Sequence, residues 1–200
     1  MGPVPSAPQR PRQPSIPRTS LLVEPADVPR IVADAARLIG RGELVIFGSS
    51  ALAFWLADAP RSRDVDLWCD PPERGQVVEA LMGELSWYHE RHGAYVEVWA
   101  PETFAAPSEW RTRARRSIHE VSPEVTLLVP HPHDVLLAKL ERMTETDVDH
   151  ARRILAEYPM SEATLAELLV ESPYRGGRID DDERIARFEH GVERLRLLID

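Results

Sequence analysis

Two carboxylates two residues apart, Asp64 and Asp66, stand among apolar neighbours in the run SRDVDLWC. In an extended strand alternate side chains share a face, so Asp64 and Asp66 point one way while Val65 and Leu67 point to the core. Carboxylates held side by side repel, and a cation between them relieves the repulsion. Hard oxygen donors of this kind suit Mg²⁺, which keeps several waters and shares its coordination with substrate phosphates. The alternative for an isolated pair is the polar face of an exposed edge strand.

Upstream, ELVIFG reads as a short strand ending on a glycine, and SSALAFWLADA suits a helix. Strand, tight turn and helix place Ser49 or Ser50 at the helix N-cap behind Gly48. Backbone N–H groups lack partners there and the helix dipole favours an anion, which makes the turn a phosphate seat or, alternatively, a purely structural cap. A third candidate is Lys139, the only lysine among 24 Lys and Arg residues. It lies in HPHDVLLAKLERMTETDVDHARRIL, on a helix that Asp134 is expected to cap, where a compact ammonium reaches a phosphate as a point charge. The alternative is a solvated lysine on a helix face. Asp147 and His150 are three residues apart and share a helical face, able to orient Lys139 or relay a proton; otherwise Asp147 is that helix's N-cap. The histidines of HPH lack a cysteine partner or paired ligand spacing, which argues against zinc. His89 and His92 read as surface residues of a turn.

These groups need elements to hold them. PADVPRIVADAARLIG carries a helical stripe of Val28, Ile31, Val32, Ala35, Leu38 and Ile39, closed by Gly40. AYVEVWA alternates as a strand. SEWRTRARRS gathers Arg111, Arg113, Arg115 and Arg116; a strand over ARRSIHEV puts Arg113 and Arg115 on one face and Arg116 on the other. One face then suits an acceptor's phosphates or a leaving pyrophosphate, the alternative being a salt-bridged outer face. Beyond residue 131 the chain reads as helices: PHDVLLAKLERM, DVDHARRILAEY, SEATLAELLVES and DDERIARFEHGVERLRLLID, with ESPYRGGRIDD as the hinge before the last. Residues 1–20 are proline-rich, with three arginines and no acidic or aromatic side chain, and read as a disordered tail. The expected division is therefore a tail over 1–20, a core over 21–130 and a helical segment over 131–200.

At 200 residues and 43% hydrophobic composition the chain can bury one sizeable core. One cysteine, Cys69, excludes an intramolecular disulfide framework, no window is long and apolar enough for a membrane span, and the N-terminal arginines lack an apolar signal core. A cytoplasmic protein without membrane attachment is expected. The net charge of −9 excludes a nucleic-acid binder acting by overall attraction and leaves room only for a local basic patch.

Taken together, GSSALAFWLADAPRSRDVDLW resembles the G-[GS]-[ST]…D-x-D signature of the DNA polymerase β-like nucleotidyltransferase superfamily. More narrowly, the chain is similar, over roughly residues 40 to 155, to small bacterial nucleotidyltransferases related to AbiEii-type toxins of toxin–antitoxin modules. The resemblance implies an α/β fold with a small mixed sheet, flanking helices and a helical C-terminal segment. Gly48 and Ser49, with Ser50, match the turn that contacts an NTP's triphosphate, and Asp64 and Asp66 match the ligands of two Mg²⁺ ions. A third carboxylate, a metal ligand that helps activate the acceptor, belongs on a neighbouring strand, where AYVEVWA supplies Glu97, with the outer face of the sheet as its alternative; many members carry aspartate there. Lys139, followed by Arg142 and Asp147, matches a lysine and R…D…D pattern, with His150 in place of a second acid. Trp110 and Arg113 match a Trp and an Arg of the group. The implied reaction moves a nucleoside monophosphate from an NTP to a hydroxyl of RNA or tRNA, a protein or a small molecule, in a toxin restrained by a cognate antitoxin. The alternative is a catalytically silent nucleotide-binding or antitoxin-like protein of the same fold.

Overall fold

Val28, Ile31, Val32, Ala35, Ala36 and Ile39 recur at helical spacing and are buried along α1 (Val28–Ile39), whereas Leu38 of the expected stripe is only partly buried. Pro29 sits in the first turn, where its missing N–H has no partner to lose, and Gly40 closes the helix at φ +70°. This is the first long element of a computed structural model that describes residues 22–119 and 122–199. The stretch 1–20 expected as a tail lies outside the described residues.

After α1 come β1 (Gly42–Ile46), β2 (Val65–Asp70), α2 (Pro72–Met82), α3 (Trp87–His92), β3 (Val96–Val98), α4 (Trp110–Arg113), β4 (Arg115–His119) and β5 (Ser122–Val129). The chain then runs through α5 (Pro132–Leu137), α6 (Glu145–Glu157), α7 (Glu162–Val170) and α8 (Asp182–Arg196). The strands form one mixed sheet in the order β3-β2-β1-β5-β4, in which β1 pairs antiparallel with β2 and parallel with β5, and β2 runs parallel to β3. This is the expected α/β fold with a small mixed sheet and flanking helices.

Pairing of Leu44 with Cys69 and of Ile46 with Leu67 sets which side chains face inward. They share one hydrophobic core with Val65, Val96 and Val125 of the sheet, the α1 stripe, and Val78 and Met82 of α2. Alternation then commits Val45, Phe47, Asp66, Trp68, Glu97 and Trp99 to the opposite face. One face of the sheet is thus spent on packing, and the other is available for chemistry.

Several local expectations are corrected. The segment after Gly48 forms only a 3₁₀ turn, Ser50–Phe54, capped at Trp55, and beyond it the Ala57 N–H bonds the Glu157 carboxylate at 3.1 Å. α5 stops at Leu137, so Lys139 stands in the turns that follow it. The cap of α5 is His131, whose ring accepts from the His133 N–H, while Asp134 is fully buried and bound by the Arg113 guanidinium at 2.8 Å. Arg113 ends α4 instead of starting a strand, so it does not share a strand face with Arg115. Thr144, not Asp147, caps α6; Asp147 completes a capping box with it. His89 and His92 belong to α3, not a turn.

The turn carrying Lys139 is held from behind by α8. Glu141 accepts hydrogen bonds from Tyr174, Arg184 and Arg187, and the Arg184 bonds in particular hold its carboxyl down at about 2. At Gly191 the two backbones touch: a Cβ there would lie 2.0 Å from the Leu140 carbonyl oxygen. Gly191→Ala should accordingly separate α8 from this turn and destabilise the protein by about 1–3 kcal/mol, measured by urea unfolding.

Candidate active site

β2 and β3 build the floor of the site. Asp64 immediately precedes β2, Asp66 is its second residue, and the parallel register sets Asp66 beside Glu97. The alternation of AYVEVWA carries Tyr95 and Trp99 along the same face as Glu97. The Tyr95 hydroxyl lies 3.4 Å from Asp64 Oδ2, to which it donates, and Trp99 Nε1 donates to Asp66 Oδ1 at 3.0 Å. Arg63 spans two of the carboxylates, its Nε 3.2 Å from Asp64 Oδ2 and its Nη2 3.6 Å from Glu97 Oε1.

Crowding of negative charge shows in the titration of this group. Burial, and after it the charge of Asp64, push the Asp66 carboxyl up to about 7, against the pull of the Trp99 hydrogen bond. Burial and Asp64 also raise Glu97 above the ordinary glutamate value. Among the described residues, no three His, Cys, Asp or Glu side chains are gathered closely enough to hold a metal ion together. The donors that the floor does offer, Asp64 and Asp66, are hard oxygen ligands on one face, and their type suits a hard divalent cation.

The turn above the floor depends on Gly48. Its φ is +63°, and a Cβ there would fall 2.0 Å from Asp66 Oδ2, so any side chain would collide with the carboxylate. Ser49 Oγ accepts from Lys139 Nζ at 3.1 Å and lies 3.4 Å from His150 Nδ1. Ser50, expected beside it in the seat, is buried and donates its hydroxyl to the Phe47 carbonyl at 3.1 Å, closing the turn.

Lys139 is only 8% exposed and is aimed by Asp147, whose Oδ1 accepts from Nζ at 3.2 Å. Burial lowers the lysine pKa, and the Asp147 charge opposes that. Asp147 itself is fully buried, which alone would raise its pKa. Hydrogen bonds from Arg142 at 2.8 and 2.9 Å, with the Lys139 charge, instead hold the carboxyl well below the usual range. His150 does not touch this pair's carboxylate but reaches Ser49, and burial followed by the nearby Lys139 charge lowers it to about 4, so it is neutral at pH 7.

Gly48, Ser49, Asp64, Asp66, Glu97 and Lys139 all line one cleft of about 980 Å³, to which Arg61, Arg63, Arg142 and Arg187 also contribute. Ser50 and Asp147 stand behind it. Arg111, Arg113, Arg115 and Arg116, expected to meet an acceptor, do not line it. Arg111 and Arg116 pair with Glu43, Arg113 with Asp134 and Glu171, and Arg115 donates to the Phe54 carbonyl. Tyr95, Trp99 and Arg63 are the site's residues that motif reasoning passed over. The signal for the first two was present, since they flank Glu97 at a spacing of two in an alternating strand.

Residues 27–192 match the model of a family described as nucleotidyltransferase of unknown function (DUF6036). The chain belongs to this family. The matched stretch opens at the residue before α1 and ends inside α8, so this nucleotidyltransferase-family region takes in the whole sheet and the cleft from Phe47 to Arg187. No curated protein and no solved structure matches the chain.

The raised Asp66 pKa has a measurable consequence in chelator-treated protein. A carboxyl whose folded pKa exceeds its unfolded value contributes stability when protonated, and that contribution is lost as pH rises through about 7. His150, shifted the other way, contributes an opposite slope, so parent and variant must be compared at each pH. Asp66→Asn should match the parent near pH 4 and exceed it by roughly 1–3 kcal/mol near pH 7.5, read by urea unfolding across that range.

Proposed function

We propose that the protein transfers a nucleoside monophosphate from an NTP to an acceptor hydroxyl with loss of pyrophosphate, as a member of the polymerase β-like superfamily. The observation that supports this most is the meeting, over one cleft, of the Asp64/Asp66 pair, the Gly48-Ser49 turn and the chain's single lysine. Asp64 and Asp66 would hold Mg²⁺, with Glu97 beside them. The metal's contribution when bound is Lewis-acid stabilisation of charge at the reacting phosphate and lowering of the acceptor hydroxyl's pKa.

The chain's own groups divide the remaining work. Gly48 lets the triphosphate approach the carboxylates, and Ser49 with Lys139 supplies a hydroxyl and an ammonium to its oxygens. Asp147 and Arg142 keep Lys139 in place from behind. Glu97, with its raised pKa, accepts the proton of the acceptor hydroxyl. The acceptor oxygen then bonds to the α-phosphorus, and the α–β bridging oxygen departs with pyrophosphate. The resemblance to AbiEii-type toxins extends the proposal to a growth-arresting toxin held by a cognate antitoxin, with RNA, tRNA, protein or a small molecule as acceptor.

The second reading is a nucleotide-binding protein of the same fold without turnover, favoured by the engagement of Glu97 with Arg63. Incubation with each labelled NTP, Mg²⁺ and total bacterial RNA or protein separates the two. Pyrophosphate release with label transfer supports the enzyme, and NTP binding without release supports the silent protein. Asp64→Asn and Asp66→Asn should each fold and lose turnover by roughly a thousandfold, about 4 kcal/mol of transition-state stabilisation. Retained turnover in both variants would remove the metal-binding pair from the mechanism.

Lys139→Arg should weaken NTP affinity by about tenfold, since a planar guanidinium does not fit the space between Ser49 Oγ and Asp147 occupied by a compact ammonium. Lys139→Met should weaken it further and lower the melting temperature, because it takes one cation from a fully buried carboxylate. Unchanged affinity in both variants, by titration calorimetry, would restrict Lys139 to a structural role.

A further inference from the structure

Arg63 takes no part in the proposed transfer, yet it is the cation that reaches both Asp64 and Glu97. It is the residue before Asp64, so the β2 entry fixes its backbone beside the floor. Its Nε donates to Asp64 Oδ2 at 3.2 Å while its Nη2 approaches Glu97 Oε1 at 3.6 Å, so one guanidinium bridges two strands. Its side chain remains 64% exposed, against 11% for the Asp64 side chain and 28% for that of Glu97. The carboxylates are therefore fixed and the arginine that covers them is free to leave toward the cleft, which it also lines.

We propose that Arg63 is a built-in competitor for the divalent cation: it neutralises Asp64 and Glu97 in the empty cleft, is displaced as the cation binds, and turns its guanidinium to the substrate's phosphates. This rests on the reading of Asp64 and Asp66 as metal ligands. The physical case is one of exchange. Asp66 and Glu97 stand in register on adjacent strands with Asp64 beside them, and in the described arrangement Arg63 is the cation within ion-pair reach of Asp64 and Glu97. With the guanidinium largely exposed and its contacts at 3.2 and 3.6 Å, these ion pairs are weak, so a divalent ion can replace it with little loss. Released, Arg63 stands in the same cleft as Arg61, Arg142 and Arg187, and a guanidinium fork is well shaped for phosphate oxygens. The competition also explains why Glu97 sits in register with Asp66 without joining it in a closed metal-holding group: its oxygen is turned to Arg63.

The test measures cation binding directly, by titration calorimetry with Mn²⁺ in nucleotide-free protein, for the parent, Arg63→Ala, Arg63→Lys and Asp64→Asn. The expected result is Mn²⁺ affinity roughly three- to tenfold tighter in Arg63→Ala than in the parent, on the scale of the weak ion pairs removed. Arg63→Lys should fall between them, since its ammonium reaches one carboxylate at a time. With Mn²⁺ saturating, Arg63→Ala should bind a non-hydrolysable NTP analogue several-fold more weakly than the parent. Equal or weaker Mn²⁺ binding in Arg63→Ala overturns the proposal, as does unchanged analogue affinity. Binding seen in Arg63→Ala but too weak to detect in the parent supports it. Failure of the underlying reading looks different: Asp64→Asn would then bind Mn²⁺ as the parent does, or neither the parent nor Arg63→Ala would bind, which overturns the proposal as well.

Discussion

Asp64, just before β2, and Asp66, within it, are set on the side of the sheet away from the core by the packing of Val65 and Leu67. Charge repulsion between them must be met by something, and the neighbourhood is arranged around that demand. Tyr95 and Trp99 donate from either end of β3, Arg63 covers one side, and the Asp66 carboxyl is pushed up to about 7. Were the pair on a loop, it would relieve the strain by rotating apart. On a strand between buried apolar residues the repulsion is kept in place, ready for a ligand that brings positive charge.

A second charge arrangement mirrors the first. Asp147 is fully buried and surrounded by donors from Lys139, Arg142 and Thr144, so its negative charge is satisfied entirely from the protein. Lys139, in contrast, spends one donor on Asp147 and another on Ser49, which faces the cleft. Among the described residues Asp66 has no ion-pair partner, Asp64 has only the exposed Arg63, and the buried ammonium lines the same cleft. A ligand bearing both a metal and a polyphosphate answers both arrangements together, which is why these halves of the cleft are best understood as one site.

Periodicity made much of this legible. The α1 stripe, the inward Val65 and Leu67, and the alternation around Glu97 follow from spacing alone, and each is recovered in the structure. What spacing could not supply was the identity of tertiary partners. Arg113 looked available for a ligand until Asp134, twenty-one residues away, was seen buried beneath it. Asp134 looked like a helix cap because its type suits one, but His131 holds that position and a buried ion pair claims the aspartate. The helix expected after Gly48 is a short 3₁₀ turn, beyond which Glu157 of α6 takes the Ala57 N–H. For Arg113 and Asp134 a long-range contact outweighed a local preference of comparable strength.

The scarcity of lysine reaches beyond the cleft. With Lys139 the only lysine and only 8% exposed, the single ε-amine is reached through the cleft and nowhere else on the folded surface. A small amine reagent must enter the cleft to meet it, whereas an enzyme that conjugates modifiers to lysine would require this turn to come away from Ser49 and Asp147. A chain built this way couples its chemical marking to the integrity of its own interior.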